Sequence, residues 1–351
     1  MSKLGIIVRA DLGSGLQSQT YNLTRMLKPS KVLVINSESF NKREQKYELY
    51  DGFDTIISDG FINNDIALNF LLGLSHILTA ETFYSHFLVQ QANIRRIKTF
   101  QQFNWEFLEH HQDKYLPYPS LFLSPSYWKL KEMEQSYKKV EYLPPPIIMN
   151  DFKEARDVNL KRTGKVKILH ILGTLASYDR NGTKDLLEAL KYSKADFELV
   201  IRAQSKNDEI VNLIKDKRVN IIIENIEEQS DMYKDFDLMI LPRRYGGLCL
   251  PMNEALCSGL PVFMSDMIPN NVVLPSSWLI DSVKYTEFMA RTSIDVHQID
   301  VKELGERIDW FCALNDNERQ NLKLQAYELG YNNYSSDILL EKYNNVMEFY
   351  G

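Results

Sequence analysis

The sequence predicts an α/β protein made of two doubly wound parallel-sheet domains in tandem, and three observations predict it. The chain has 351 residues, which suits two domains at about 150 residues each. Short runs of branched apolar residues recur along it with helical or irregular stretches between them, the pattern of a parallel sheet with helical crossovers. Near the middle, Tyr142-Leu-Pro-Pro-Pro-Ile147 interrupts the series, because three prolines cannot continue a helix and favour an extended path.

Taken in order, the first run is Leu4–Val8, followed by a glycine-bearing loop and a helix-like stretch from Gln19 to Leu27. Strand candidates follow at Lys31–Ile35, Thr55–Ser58, His76–Thr79, Ile97–Phe100 and Ser120–Leu123. These place an N-terminal Rossmann-like domain at residues 1–150. After the charged, poorly periodic stretch 151–165, a second series runs through Val166–Leu172, Glu198–Ile201, Asn220–Ile223, Leu238–Leu241, Pro261–Met264 and Trp278–Ile280. A second doubly wound domain therefore spans residues 151–334. In the last helix, Leu339, Tyr343, Val346, Met347 and Tyr350 form one apolar stripe, so residues 335–351 are expected to pack back toward the N-terminal domain. Two such domains bind ligands beyond the carboxyl ends of their strands, and facing each other they would enclose a cleft.

Composition narrows the function classes. Hydrophobic residues make up 44% and charged residues 25%, which fits neither wholesale disorder nor a membrane-embedded chain. The net charge of −6 argues against gripping nucleic acid by bulk positive charge. Basic and acidic residues number 16 and 15 in residues 1–150 but 25 and 32 in residues 151–351, so the acidity lies in the second half. Cys249, Cys257 and Cys312 contain no Cys-x-x-Cys pair and are odd in number, unlike a disulfide framework or a zinc site, and a reducing cytoplasm is expected. The opening apolar run is broken by Arg9, and no stretch approaches the ~18 apolar residues of a spanning helix, so no membrane partner is expected.

The most informative stretch runs from Leu241 to Val262. Pro251 suits a first helical position, Glu254 sits in the first turn where a carboxylate complements the helix dipole, and Gly259 suits the stop. A short helix thus opens just after a strand and a Gly-rich loop. Loop amides and a positive helix end receive phosphate, and a nearby carboxylate accepts the two hydroxyls of a ribose. The bland alternative is a strand-to-helix turn with an incidental glutamate.

This stretch resembles the donor-binding signature of GT-B glycosyltransferases, particularly the large retaining family 4. The family pattern is roughly Pro-Ser-x-x-Glu-Gly-Phe-Gly-Leu-Pro-x-x-Glu-Ala-x-x-x-Gly-x-Pro-Val, and Leu250-Pro251, Glu254-Ala255, Gly259 and Pro261-Val262 match it in register. In that register Glu254 is the ribose-binding glutamate. Gly246 stands where the first family glutamate should be, and Arg243 where the small serine usually is. The resemblance makes Arg243, Arg244, Tyr245, Gly246, Gly247, Leu248 and Glu254 donor-binding candidates. His170-Ile-Leu-Gly173, Asp179-Arg-Asn-Gly-Thr183 and Leu186–Leu190 resemble the family's strand, loop and Lys-Gly-bearing helix, which adds Gly173 and Asn181. Asn181 stands in the place of the lysine, so Arg180, Arg202, and Arg243 or Arg244 are left to carry the charge facing a diphosphate.

In the first half, Ala10-Asp-Leu-Gly-Ser-Gly-Leu-Gln-Ser-Gln-Thr20 lacks the third glycine of a dinucleotide fingerprint, with Ser18 in its place, which argues against NAD. In GT-B enzymes the corresponding loop touches donor phosphate or acceptor. Gly13 and Gly15 are therefore donor candidates, and Asp11 and Gln19 acceptor candidates. Two further loops bring Glu81, Tyr84, Asn104, Trp105 and Glu106 to the same edge; carboxylates and amides there would meet hydroxyls, and aromatic faces would meet a sugar or base. Tyr84, Asn104, Trp105 and Glu106 are acceptor candidates, and Glu81 joins Arg180 and Arg202 as a catalytic candidate. Structural readings remain open for each: packed aromatics, and exposed surface charges.

Asp235-Phe-Asp237 looks like an Asp-x-Asp metal grip but precedes a strand, where turn chemistry explains it, so a metal-free site is expected. The resemblance implies a retaining glycosyltransferase with no cofactor beyond a nucleotide diphosphate sugar, expected to be a UDP-sugar, as co-substrate. The Gly-Leu-x-x-Gln-Thr opening and the Arg-Asn-Gly-Thr loop resemble bacteriophage-encoded glycosyltransferases, which makes a hydroxymethylated base in DNA the leading acceptor. Alternatives are a cell-surface glycan, a small molecule or a protein as acceptor, a nucleotide-sugar epimerase, and a non-catalytic nucleotide-sugar-binding protein.

Overall fold

A computed structural model describes residues 3–38, 43–105, 118–136, 139–173, 178–224, 226, 228–290 and 292–350. The chain forms two compact units, residues 1–146 with 336–351, and residues 147–335.

The first unit starts with β1 (Leu4–Arg9), α1 (Gly15–Leu27), β2 (Lys31–Asn36), β3 (Thr55–Asp59) and α2 (Asn64–Leu71). It continues with β4 (His76–Ala80), α3 (His86–Ile94), β5 (Lys98–Gln102), β6 (Leu121–Ser124), α4 (Leu130–Ser136) and β7 (Val140–Tyr142). All seven strands are parallel, in the order β3-β2-β1-β4-β5-β6-β7. β1 explains the continuous apolar run of its sequence: Ile6, Ile7 and Val8 are buried because helices cover both faces. Local chemistry sets the helix starts. Ser14 accepts from the Gln17 amide at α1, and Asn63 from Ile66 at α2.

The second unit starts with α5 (Lys153–Lys161), β8 (Val166–Ile171), α6 (Thr183–Ala189), β9 (Phe197–Ala203), α7 (Asp208–Leu213), β10 (Val219–Ile223) and β11 (Leu238–Ile240). Next come α8 (Leu250–Cys257), β12 (Val262–Ser265), α9 (Asn270–Val273) and β13 (Leu279–Ile280). An antiparallel hairpin of β14 (Ser282–Met289) and β15 (Ser293–Ile299) precedes α10 (Val301–Ala313) and α11 (Asp316–Tyr334). The main sheet is parallel, in the order β10-β9-β8-β11-β12-β13. Asn315 and Glu318 form a capping box at the start of α11.

After α11 the chain returns to the first unit as α12 (Ser336–Phe349). Its apolar stripe is anchored by a buried polar group. Tyr343 Oη donates to the Pro144 carbonyl at 3.0 Å and accepts from Gln102 Nε2 at 3.1 Å. Burial holds the phenol well above its ordinary range, so it acts as a neutral hydrogen-bonding group. Among the described residues no helix is long and apolar enough to cross a membrane.

Candidate functional site

Strand order decides where a ligand can enter. In each sheet the chain reverses direction of growth at one pair of neighbours, β1 and β4 in the first unit and β8 and β11 in the second. Loops leaving the carboxyl ends of such a pair diverge and leave a crevice. In the second unit these loops carry the arginine-bearing segments Asp179–Thr183 after β8, with Arg180, and Pro242–Cys249 after β11, with Arg243 and Arg244.

Short-range contacts stitch the two loops together. Buried His170 meets the Ile240 carbonyl through Nδ1 and the Thr183 hydroxyl through Nε2, both at 2.8 Å. A carbonyl only accepts, so Nδ1 carries the proton and Nε2 accepts from Thr183; burial lowers the pKa and keeps the ring neutral. The Arg244 amide donates to the Arg180 carbonyl at 2.8 Å. Asn181 donates from Nδ2 to the carbonyls of Ile171 and Leu172 at 3.0 and 3.2 Å, so it staples its own loop. Gly182 has φ +70°, and a Cβ there would stand 2.1 Å from the Pro242 carbonyl oxygen. Only glycine permits this approach.

Two guanidiniums converge where the loops meet. Gly246 has φ +107°, and a Cβ on it would lie 2.4 Å from Arg180 Nη2 and 2.8 Å from Arg243 Nη2. The position of the missing family glutamate is thus filled by cations from both loops. Arg243 is 5% exposed; its Nη1 donates to the Leu248 carbonyl at 2.8 Å, and Nε is buried without a hydrogen-bond partner. No ion pair between Arg243 and an acidic side chain occurs among the described residues. A buried cation so placed is costly unless an anion arrives. Arg180 lies against the Tyr245 ring, 5.4 Å from its centroid. α8 begins nearby at Leu250 with Pro251 in its first turn and no side-chain cap.

The remaining basic candidates are engaged differently. Arg244 Nε lies 3.5 Å from Asp185 Oδ2, and Nη1 donates to the Tyr178 carbonyl at 3.2 Å. It borders a cavity of about 590 Å³ lined also by Tyr178, Asp179, Lys184, Asp185, Glu209, Tyr285 and Gln298. Arg202, at the end of β9, pairs with Glu224 at 2.8 Å and donates to the Asp231 carbonyl at 3.3 Å. No described contact joins Arg202 to Arg180 or Arg243.

Glu254 is 2% exposed. Tyr233 Oη donates to Oε2 and Gln229 Nε2 to Oε1, each at 2.5 Å. Burial raises its pKa to about 8 against the opposing pull of these two hydrogen bonds. The two partners are unlike: Tyr233 is 1% exposed, whereas Gln229 is an exposed residue of a short 3-10 turn. One carboxylate oxygen is therefore fixed inside the fold, and the other lies under a side chain that can be displaced. Sequence reasoning missed Gln229 and Tyr233, since nothing local links residues 229 and 233 to residue 254.

In the first unit the loops after β1 and β4 lie at its switch point. Arg9 Nε pairs with Asp11 at 2.9 Å, and Asp11 is 1% exposed. Tyr84 Oη accepts from Arg9 Nη1 at 3.4 Å, and burial pushes that phenol up to about 12. Glu81 and Tyr84 have φ +64° and +58°, strained values for such residues. Gly13 has φ +72°, and Gly15 opens α1. Gln19 lies a turn inside α1, where Nε2 donates to Gln102 Oε1 at 2.6 Å in a buried polar network. Trp105 packs on Phe103, Phe122 and Met133. Asn104 Oδ1 and Trp105 Nε1 are buried without a hydrogen-bond partner among the described residues. Glu106 lies outside the described residues.

The Asp-x-Asp segment is occupied by protein cations. Asp237, 1% exposed, accepts from Lys323 Nζ at 2.7 Å and from Arg162, while Asp235 pairs with Lys167 at 2.9 Å. Among the described residues, no group of three or more His, Cys, Asp or Glu is placed to hold a metal ion.

Two doubly wound parallel-sheet units, with Arg243 buried beside Arg180 and an uncapped helix start among the loops of the second, define a protein of the GT-B fold class. The family model of the glycosyl transferases group 1 matches residues 151–329, just over half of the chain, and the chain belongs to that family. Solved structures agree on the fold. A glycosyltransferase from Rickettsia africae ESF-5 superposes with a TM-score of 0.68 at 14% identity, covering 99% of this chain and 98% of that one. Anabaena HepE in complex with UDP and glucose gives 0.68 at 9% identity, covering 99% and 100%. The sucrose-phosphate synthase of Thermosynechococcus elongatus gives 0.67 at 12%, covering 99% of each chain. No curated protein matches the sequence.

Proposed function

We propose that the chain moves a sugar from a UDP-sugar to a hydroxyl acceptor with retention of anomeric configuration and without a metal ion. The observation that carries this reading is the pair of guanidiniums at Gly246, one of them 5% exposed and facing no acidic side chain among the described residues. Two fixed positive charges match the two charges of a diphosphate, and guanidinium forks bind its oxygens bidentately. Glu254 binds the ribose hydroxyls once Gln229 swings aside. UDP is favoured because the structurally similar Anabaena HepE is solved in complex with UDP.

In the transfer the C1–O bond to the diphosphate breaks as the acceptor oxygen bonds to C1 on the same face. The acceptor proton passes to the departing phosphate oxygen, so no dedicated base is needed. Arg180 and Arg243 stabilise the charge growing on that phosphate, in surroundings that screen it poorly. Acceptor hydroxyls are assigned to the first unit, where Asp11, Glu81 and Tyr84 flank its own switch point, and hydroxymethylated DNA leads the acceptor list.

The test measures UDP release from UDP-glucose, UDP-galactose and UDP-arabinose with hydroxymethylated DNA, glycan and small-molecule acceptors, followed by NMR of the anomeric centre. Release of UDP with a product that keeps the donor's configuration at C1 supports the reading. Saturable UDP binding without turnover on any acceptor supports a binding protein, and inversion at C1 overturns the retaining assignment.

A further inference from the structure

The β14–β15 hairpin is not part of the six-stranded sheet, yet it is tied to both basic loops. The His297 amide donates to the Arg244 carbonyl at 2.7 Å, and Arg244 Nε donates back to the His297 carbonyl at 3.1 Å. One residue of the second loop is thereby tied to the hairpin twice, through its backbone carbonyl and through its side chain. The Arg244 guanidinium also lies 5.6 Å from the Tyr285 ring of β14.

Side chains complete the connection. Phe288 stacks on Tyr178 of the first loop, with centroids 5.5 Å apart and planes at 28°. The same ring meets Tyr245 of the second loop at 5.1 Å and 73°. Tyr245 in turn carries the Arg180 guanidinium at 5.4 Å. The first loop needs such support, because Tyr178 and Asp179 are consecutive non-glycine residues with φ +61° and +50°. Backbone in that region persists only where its surroundings over-determine it.

We infer that the hairpin is a clamp fixing the two basic loops against each other, with Phe288 as its positioning residue. Phe288 acts through Tyr178 and Tyr245 on where the Arg180 guanidinium stands. It therefore sets affinity for a diphosphate and the rate of transfer without itself meeting the reacting atoms. This inference rests on the donor-site reading.

The experiment compares UDP with uridine, by calorimetry and ligand-observed NMR, for the wild type, Phe288→Ala, Phe288→Leu, Phe288→Tyr and Met289→Ala. Losing the aromatic contacts in Phe288→Ala should weaken UDP about five- to tenfold while uridine changes less than about twofold. Phe288→Tyr, which keeps the ring, should restore UDP binding. Met289, 72% exposed on the same strand, should be silent. If Phe288→Ala does not fold, Phe288→Leu supplies the same comparison. Unchanged UDP affinity, or a parallel loss of uridine, overturns the clamp while leaving the donor site standing. A wild type that holds UDP no tighter than uridine, and is indifferent to Arg243→Ala, removes the donor reading and the clamp with it.

Discussion

On the proposed donor-site reading, Glu254 should make nucleotide binding depend on pH, with the direction set by its raised pKa. Its carboxyl is held at about 8 by burial, and its oxygens accept from Tyr233 and Gln229. Ribose hydroxyls donate to an ionised carboxylate, whereas a protonated one must itself find an acceptor. At pH 7 about one molecule in eleven is ionised, which discounts the intrinsic affinity by about 1.4 kcal/mol. UDP affinity should rise nearly tenfold per pH unit between about pH 6 and 7 and level off above about 8.5. The assay is calorimetric titration of UDP from pH 6 to 9 against wild type and Glu254→Gln. Titration of the nucleotide's own phosphate is common to both proteins, so the difference between them isolates residue 254. The variant should bind more weakly at pH 9 by about 1–3 kcal/mol and lack the extra slope. Identical slopes in the two proteins would refute the reasoning.

Further outcomes follow from the same geometry. The folded chain keeps a proton on Glu254 that the unfolded chain releases near 4.5, so burial is unpenalised below pH 4.5 and fully penalised above about 8. Glu254→Gln should therefore gain stability relative to wild type as pH rises through that window, by several kcal/mol at pH 9, read by urea unfolding. Arg243→Ala should lose about 1.5–3 kcal/mol of UDP affinity, and Arg243→Lys, a point charge lacking the fork, should recover only part of it. Gly246→Ala should lower turnover and stability together, since its Cβ would strike the Arg180 guanidinium and φ +107° is strained for alanine; activity assays and thermal unfolding check both. Asp237→Asn leaves Lys323 and Arg162 facing a neutral amide, and should cost about 3–5 kcal/mol in chemical unfolding.

The strands were legible because both sheets are parallel and covered on two faces, so their sequences read as apolar runs, unbroken from Leu4 to Val8 and interrupted only by Lys167 and His170 from Val166 to Leu172. α8 was legible from Pro251 and Gly259, residues whose backbone preferences act locally. β7 and the hairpin were not anticipated. β7 has three half-buried residues and little apolar signal. The hairpin did leave one, since Ile294 and Val296 alternate with polar residues along β15, the period-two pattern of a half-buried strand.

By itself the sequence determined the two parallel-sheet units, the family of the second, and the residue types of the loops proposed to hold a diphosphate, because periodicity, turn chemistry and motif spacing act over a few residues. Tertiary structure alone decided how those residues are used. Gln19 and Asn181 became staples, Arg202 was paired with Glu224, and Arg180 was brought to Arg243. It also raised Glu254 to about 8 beneath Tyr233 and Gln229. The reason is physical: burial, charge proximity and hydrogen-bond partnership depend on distances between segments far apart in the chain, which no local pattern encodes.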